Sequence, residues 1–412
     1  MKSNFVILIS LLISWGAHAQ GLYESIEQAL DSNPQIRLAL AKVMEAELAQ
    51  KSAGQQYMPT ASVRFEGVER SSSDAVYAGD KSQKTLSLQQ PLYTFGKITA
   101  INERSAQELQ FTKDALNESR LQLSYQVIQA WGELYAAALR QDILGKSRQE
   151  HVRLSEQVGR RVEEGVAAQA ELVLTVGRIR QVEAQLANEK LRMLTAQSRL
   201  ELLTNRKYKL LAPKIEAQNA VHLSQLDSES LVTEHPTLQK LSRRIASVSQ
   251  EARQKNAEMY PEVYVRFDRQ YGNYTLRNTD PSNRVFIGMS TNLGPGVSSY
   301  YTAVSAAKKL DQVHAERDIE TNNVREAVRK DLLVVQQSPS RINALTDSYQ
   351  ASVSTFDSFE RQFSSGKKSW LEVMNAVREK VQSEVELLDA QINLALAEAK
   401  LRTLQKIEST GR

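Results

Sequence analysis

The sequence predicts a mixed α and β fold, made mostly of long α-helices, in which one unit of about half the chain is used twice. Three observations predict it. Asn33-Pro34, Pro59 and Val63-Arg64-Phe65 recur as His235-Pro236, Pro261 and Val265-Arg266-Phe267, each 202 positions later and without a gap. A period that long is not the period of a solenoid. Residues 97–163 then contain no proline and carry apolar residues at helical spacing, among them Leu116, Leu123, Val127, Trp131 and Leu134. Finally, each copy holds two short segments of strict apolar–polar alternation, the pattern of a sheet with one apolar and one polar face.

The elements follow in chain order. Lys2, the apolar run Phe5–Trp15 and Ala17-His18-Ala19 read as a secretory signal peptide over residues 1–19, with the mature chain starting at Gln20. No cysteine follows, which excludes an anchor of the bacterial lipoprotein type. The first copy, 20–205, opens with a helix from Pro34 toward Tyr57. Ala61, Val63, Phe65 and Gly67 then alternate with Ser62, Arg64 and Glu66, and Leu86 and Leu88 alternate with Thr85, Ser87 and Gln89. A polar loop from Ser71 through Lys84 makes the pair a hairpin. The stretch 97–163 predicts one helix of about 67 residues, roughly 100 Å long at ~1.5 Å per residue. Gly165 interrupts it, and Ala167 to Thr204 resumes as helix.

Residues 206–232, with Pro213, lose the period and read as a connector with short elements. The second copy, 233–412, predicts a helix from Pro236 toward Met259. Its strands place Val263, Val265 and Phe267 against Tyr264, Arg266 and Asp268, then Val285, Ile287 and Met289 against Phe286, Gly288 and Ser290. A loop over Asn278–Ser282 joins them. Leu293-Gly294-Pro295-Gly296 suits an exit from strand to helix. The following stretch to Phe363 predicts a long helix that Pro339 kinks or breaks. Gly366 interrupts, and Ser369 to Ile407 is the last helix.

Lengths add a constraint. Helices 34–57 and 167–205 stacked end to end span about 94 Å, close to the ~100 Å of the uninterrupted helix. Each copy therefore supplies two full columns and two strands. Four strands leave raw edges, and a membrane barrel needs at least about eight. Oligomerisation answers both, and periodicity alone allows two, three or four copies. After the signal, no stretch approaches the roughly 18–20 apolar residues of a membrane helix, so entry into a membrane would be by strands.

Composition excludes several classes. With no cysteine there are no disulfides, catalytic thiols or Cys-metal sites. A net charge of +4 with interleaved signs gives no footprint for nucleic acid. His18, His151, His222, His235 and His314 form no pair at metal-ligand spacing. Leu293–Gly296 lacks the Lys-Ser/Thr of a phosphate loop, and no Gly-x-Ser-x-Gly nucleophile occurs. The chain predicts no enzyme and no cofactor.

Ser25-Ile26-Glu27-Gln28-Ala29-Leu30, Asn33-Pro34 and Tyr57-Met58-Pro59 resemble the start of the TolC family of outer-membrane efflux proteins. Leu88-Gln89-Gln90-Pro91-Leu92-Tyr93 with Gly96 resembles that family's second strand and its exit into the long helix, and Gly165 and Gly366 match its hairpin tips. The landmarks run in order through both copies. The resemblance implies a homotrimer with a twelve-stranded barrel in the outer membrane, continued across the periplasm by a helical barrel. The tips would meet a periplasmic membrane-fusion adaptor and an inner-membrane ABC transporter or drug pump.

The resemblance also carries over residue roles. Aligned on Gly366, the family's two entrance aspartates fall on Glu372 and Asn375, and Lys368 stands where the family has a latching arginine. Three copies of Glu372 would form a cation-favouring constriction, weakened by the amide at Asn375. Against this, a glutamate on a helix is ordinarily a solvated charge. Gly165, Val166 and Ala167 in the first tip, with Gly366, Lys367, Ser369 and Trp370 in the second, are candidates for adaptor contact. The competing reading makes the lysines plain helix-start residues and Trp370 packing between hairpins. Gly366 to Glu379 further resembles the outer-membrane components of type I secretion systems that export large adhesins, implying a protein cargo. The alternatives are the outer-membrane channel of a multidrug pump and, from another class, a periplasmic coiled-coil scaffold or adaptor.

Overall fold

The computed structural model describes residues 21–69, 76, 79–207, 227–276, 280–291, 294–295 and 297–410. The predicted signal peptide, most of the 206–232 connector, Ser71–Asp74, Asn278, Thr279, Leu293 and Gly296 lie outside the described residues. Element order repeats: α2 (Pro34–Gly54), β1 (Thr60–Gly67), β2 (Ser82–Tyr93), α3 (Lys97–Glu163) and α4 (Gln169–Thr204) are followed by α6 (Pro236–Ala257), β3 (Glu262–Tyr271), β4 (Ser282–Ser290), α7 (Ser298–Ser364) and α8 (Trp370–Thr410). The helices α3 and α7 are both 67 residues long. Two short helices, α1 (Leu22–Ser32) and α5 (Ser228–Thr233), and a 3-10 turn over Gln55–Tyr57 complete the described elements.

The chain divides into two compact units that do not follow the two copies. One comprises Met1–Asn33, Leu123–Gln225 and Asp331–Arg402; the other comprises Pro34–Gln122, Leu226–Lys330 and Thr403–Arg412. Each draws on both halves of the sequence.

In the first unit, the Asn33-Pro34 landmark acquires a physical role. Thr204 ends α4, leaving carbonyls without intrahelical partners. The Ser32 hydroxyl donates to the Thr204 carbonyl at 2.8 Å, and the Asn33 amide donates to the Leu203 carbonyl at 3.0 Å. Helix α1, which periodicity did not single out, places them there by burying Ile26 and Ala29. Farther along, Tyr135, Ala136 and Ile143 of α3 pack with Leu388 and Ile392 of α8. Arg140 joins Asp389 at 2.5 Å, and Lys380 joins Glu150 at 2.5 Å.

Pro339, expected to kink or break its helix, does not break it. It neither ends nor splits α7, which runs through it.

The second unit holds one antiparallel sheet of order β1-β2-β3-β4. The copies meet at its centre, where Leu88 faces Phe267 and Gln89 faces Arg266. Lys84 and Ser282, read from sequence as loop residues, lie inside strands. Pro91 sits in a central strand, where a missing donor is normally excluded; a register shift between Pro91 and Tyr93 accommodates it.

Registers place Ala61, Val63, Phe65, Leu86, Leu88, Val263, Val265, Phe267, Val285, Ile287 and Met289 on one face. That face is bare: Val63 and Ile287 are each 80% exposed. The opposite face carries Arg64, Glu66, Ser87, Arg266, Asp268 and Arg284, with Arg266 and Asp268 paired at 3.2 Å.

At the second landmark, His235 replaces Asn33 and does a different job. Its Nδ1 accepts from the Thr237 N–H at 3.3 Å and caps α6, so it must be neutral. Burial holds its pKa down to about 4, partly opposed by nearby Glu118. With the folded pKa below the unfolded value, this contribution is complete above the ordinary histidine pKa of about 6.5 and is lost as pH falls toward 4. We expect acid destabilisation in that window, read as the thermal midpoint of the purified protein against pH. His235→Asn, which caps without titrating, should flatten the slope; an unchanged slope would exclude His235 as its source.

Candidate functional site

The candidate site is the end of the first unit where α3 turns into α4 and α7 into α8. The two turns are built alike. Gly165 and Gly366 both have φ +74°, the left-handed conformation that glycine adopts without a Cβ penalty. In the first turn the Gly165 N–H donates to the Val162 carbonyl at 3.0 Å and Val166 to Arg161 at 2.8 Å. The second repeats this with Gly366 to Phe363 at 3.0 Å and Lys367 to Gln362 at 2.8 Å. Such paired bonds satisfy the last carbonyls of each helix.

Beyond the turns the copies diverge. Helix α4 begins without a side-chain cap at Ala168. Helix α8 begins with a capping box. The Ser369 N–H donates to Glu372 Oε2 at 3.0 Å, the Ser369 hydroxyl bonds the same oxygen at 2.9 Å, and the Glu372 N–H returns to Ser369 Oγ at 3.4 Å. Lys368 Nζ takes Oε1 at 2.6 Å and also lies 4.3 Å from the centre of the Phe359 ring. Both carboxylate oxygens are thus occupied. The Lys368 bond, then the two Ser369 bonds, hold the Glu372 pKa down to about 2. Asn375, one turn on, is exposed.

Trp370 points inward. It is 8% exposed and packs in one cluster with Leu154 and Val158 of α3, Phe356 and Phe363 of α7, and Val373 and Val377 of α8. A side chain so placed offers no surface to a partner. Val166 is 72% exposed, and Lys367, Ser369 and both glycines are exposed, with Ala167 half-buried.

Arg161, which sequence reading passed over, joins the two turns. Its guanidinium donates to the Phe363 carbonyl at 3.0 Å and lies 4.4 Å from the centre of the Phe363 ring. A cation at the last turn of α7 complements that helix end. A basic residue in the last turn of α3 was the available signal, but nothing in the sequence shows that its partner is on the other hairpin. The Ser369-x-x-Glu372 spacing, in contrast, is a readable capping-box signature.

Next to the tips, α3, α4 and α8 enclose a cavity of about 530 Å³ lined by Arg140, Arg178, His151, Glu189, Asn375 and Arg378 among others. His151 is buried, and its Nδ1 is 2.8 Å from its own helix's Ser147 carbonyl. That fixes the ring as a packing element. Among the described residues no group of His, Cys, Asp and Glu could hold a metal ion, and no helix is long and apolar enough to cross a membrane.

Residues 25–206 match the family described as outer membrane efflux protein. No curated protein matches the chain. Among solved structures, CusC aligns with a TM-score of 0.83 at 18% identity, over 93% of this chain and 91% of that one. The outer-membrane channel OprN aligns at 0.82 and 17%, over 93% and 89%. The outer membrane protein VceC of Vibrio cholerae aligns at 0.81 and 17%, over 93% and 95%. The family match covers the first copy, and the fold of the whole described chain is that of these outer-membrane channels.

Proposed function

We propose that three copies of this chain form a channel-tunnel in the outer membrane of a Gram-negative cell. It extends into the periplasm and passively conducts cargo delivered by an inner-membrane transporter through a periplasmic adaptor. The observation that carries this reading is the sheet. Its four strands present an exposed face that is mostly apolar, with Lys84, Gln90 and Arg269 among its polar positions, a charged face opposite, and, among the described residues, unpaired edges at β1 and β4. Three such sheets joined edge to edge make a closed barrel, apolar toward lipid and polar within. Exposed Leu191 and Leu202 of α4 and Ile319 of α7 are further surface for other copies to cover. A periplasmic scaffold or adaptor has no use for such a sheet.

The resemblance of Gly366–Glu379 to adhesin-exporting type I systems supports a protein cargo and an ABC transporter as the energised partner. The efflux description of the matched family supports small molecules as the second reading. Deletion of the gene separates them. Loss of surface adhesin with unchanged sensitivity to dyes and detergents is expected; normal display with raised sensitivity would replace the secretion reading by efflux.

The entrance is proposed at Glu372, Asn375 and Lys368, with partner contact at the exposed residues Gly165, Val166, Gly366, Lys367 and Ser369 and the half-buried Ala167. Because Lys368 neutralises Glu372, a ring of these pairs carries little net charge. Single-channel recording should show Lys368→Ala raising cation preference and Glu372→Ala lowering it. Unchanged selectivity in both variants would remove the pair from the constriction.

A further inference from the structure

Phe95 and Gly96, between β2 and α3, stand at φ +54° and +86°. Glycine adopts such angles freely; a phenylalanine there is an outlier that its surroundings must hold. A run of rings holds it. Tyr93 meets Phe95 edge-on at 4.7 Å, and Phe95 stacks on Tyr260 at 5.3 Å and 16°. These rings are not a core: Tyr93, Phe95 and Tyr260 are 58%, 41% and 51% exposed. Tyr93 pairs with Val263 and so shares the apolar face of the sheet. The aromatic run continues that face beyond the last strand residues, toward α3 and α6.

Beside the stack lies a cavity of about 380 Å³ between the start of α3 and the end of α6. Arg253 and Glu103 line it, and among the described residues neither has a hydrogen bond or ion pair. Gln250 also lines it, and its Oε1 is buried without a donor. A buried carbonyl oxygen left without a donor is costly. One small cavity is therefore lined by a cation and a carboxylate that are exposed and have no protein partner among the described residues, and by a buried orphaned acceptor, beside two stacked rings. An anion would answer Arg253 alone, and a simple cation would answer only Glu103 and Gln250. A zwitterion with a phosphate and a primary ammonium a few bonds apart answers all three, and the ring faces favour the ammonium.

We propose that this cavity binds the head group of a phospholipid of the phosphatidylethanolamine type. Its phosphate bonds Arg253, its ammonium bonds Glu103 and Gln250, and its acyl chains lie along the apolar face that Tyr93 extends. The site rests on reading that face as lipid-facing. Aromatic rings and cations at the edge of an apolar band are suited to the head-group zone.

Native mass spectrometry of the full-length protein, released from mild detergent after addition of phosphatidylethanolamine or phosphatidylglycerol, tests it. Retention of phosphatidylethanolamine is expected, falling roughly tenfold in Arg253→Ala and in Glu103→Gln. Equal retention of phosphatidylglycerol, or variants that retain lipid unchanged, would overturn the assignment. So would a cross-link between two copies through Asn256→Cys, which would show a neighbouring chain covering the cavity. Unheated migration of the same samples reports folding. A trimer without bound lipid defeats this site alone, whereas absence of the protein from the outer membrane defeats the channel reading itself.

Discussion

Ile287→Arg should prevent the protein from accumulating in the outer membrane as a heat-modifiable oligomer. Ile287 is 80% exposed on β4, with Val265 facing it on β3. In a globular protein, an arginine at so exposed a position would be almost neutral. In a lipid-facing strand it costs about 2–4 kcal/mol near the bilayer midplane, repeated in every copy of the oligomer. Arg284, on the charged face, supplies the control: Arg284→Ala should leave fractionation intact. The difference between faces is what matters. If Ile287→Arg fractionates normally, the apolar face does not contact lipid.

The second large effect is at the tips. Trp370→Ala removes an indole from a cluster joining α3, α7 and α8, where large-to-small changes cost about 3–5 kcal/mol. Hydrogen exchange should accelerate on both sides of the cluster, around residues 154–166 and 356–377. Assembly in the outer membrane should persist, because the sheet belongs to the other compact unit. Arg161→Ala should act in the same direction but by less, on the order of 1–3 kcal/mol for a charge-assisted bond and its ring contact. Protection unchanged in Trp370→Ala would mean that this packing does not hold the tips together.

Much of the fold was legible because the physics is periodic. Helix α3 begins and ends where the sequence places it, after Gly96 and before Gly165, since glycine and loss of apolar spacing are local signals. The strand faces were readable for the same reason. The length of β2 was not: Ser82, Gln83 and Lys84 are polar, and only pairing with β1 and β3 makes them strand. Helix α1 is short, and its purpose, closing the end of α4 through Ser32 and Asn33, is a long-range contact.

The tips divide in the same way. Gly165 and Gly366 do what glycines at helix ends are expected to do. Glu372 illustrates a subtler limit. Its spacing from Ser369 already announced a capping box, and Lys368 lies four residues before it on the same side. A carboxylate tied up locally is a weaker ion filter than a free one. Trp370 carried two readings, partner contact or packing between hairpins, and its burial where three helices meet favours packing.

On the proposed function, a single chain supplies a third of a closed wall. Counting the subunits of the unheated species extracted from purified outer membranes, by native mass, tests it most directly. Three copies are expected, with conductance in planar bilayers from the same preparation. A single copy, recovered soluble from the periplasm, would contradict it.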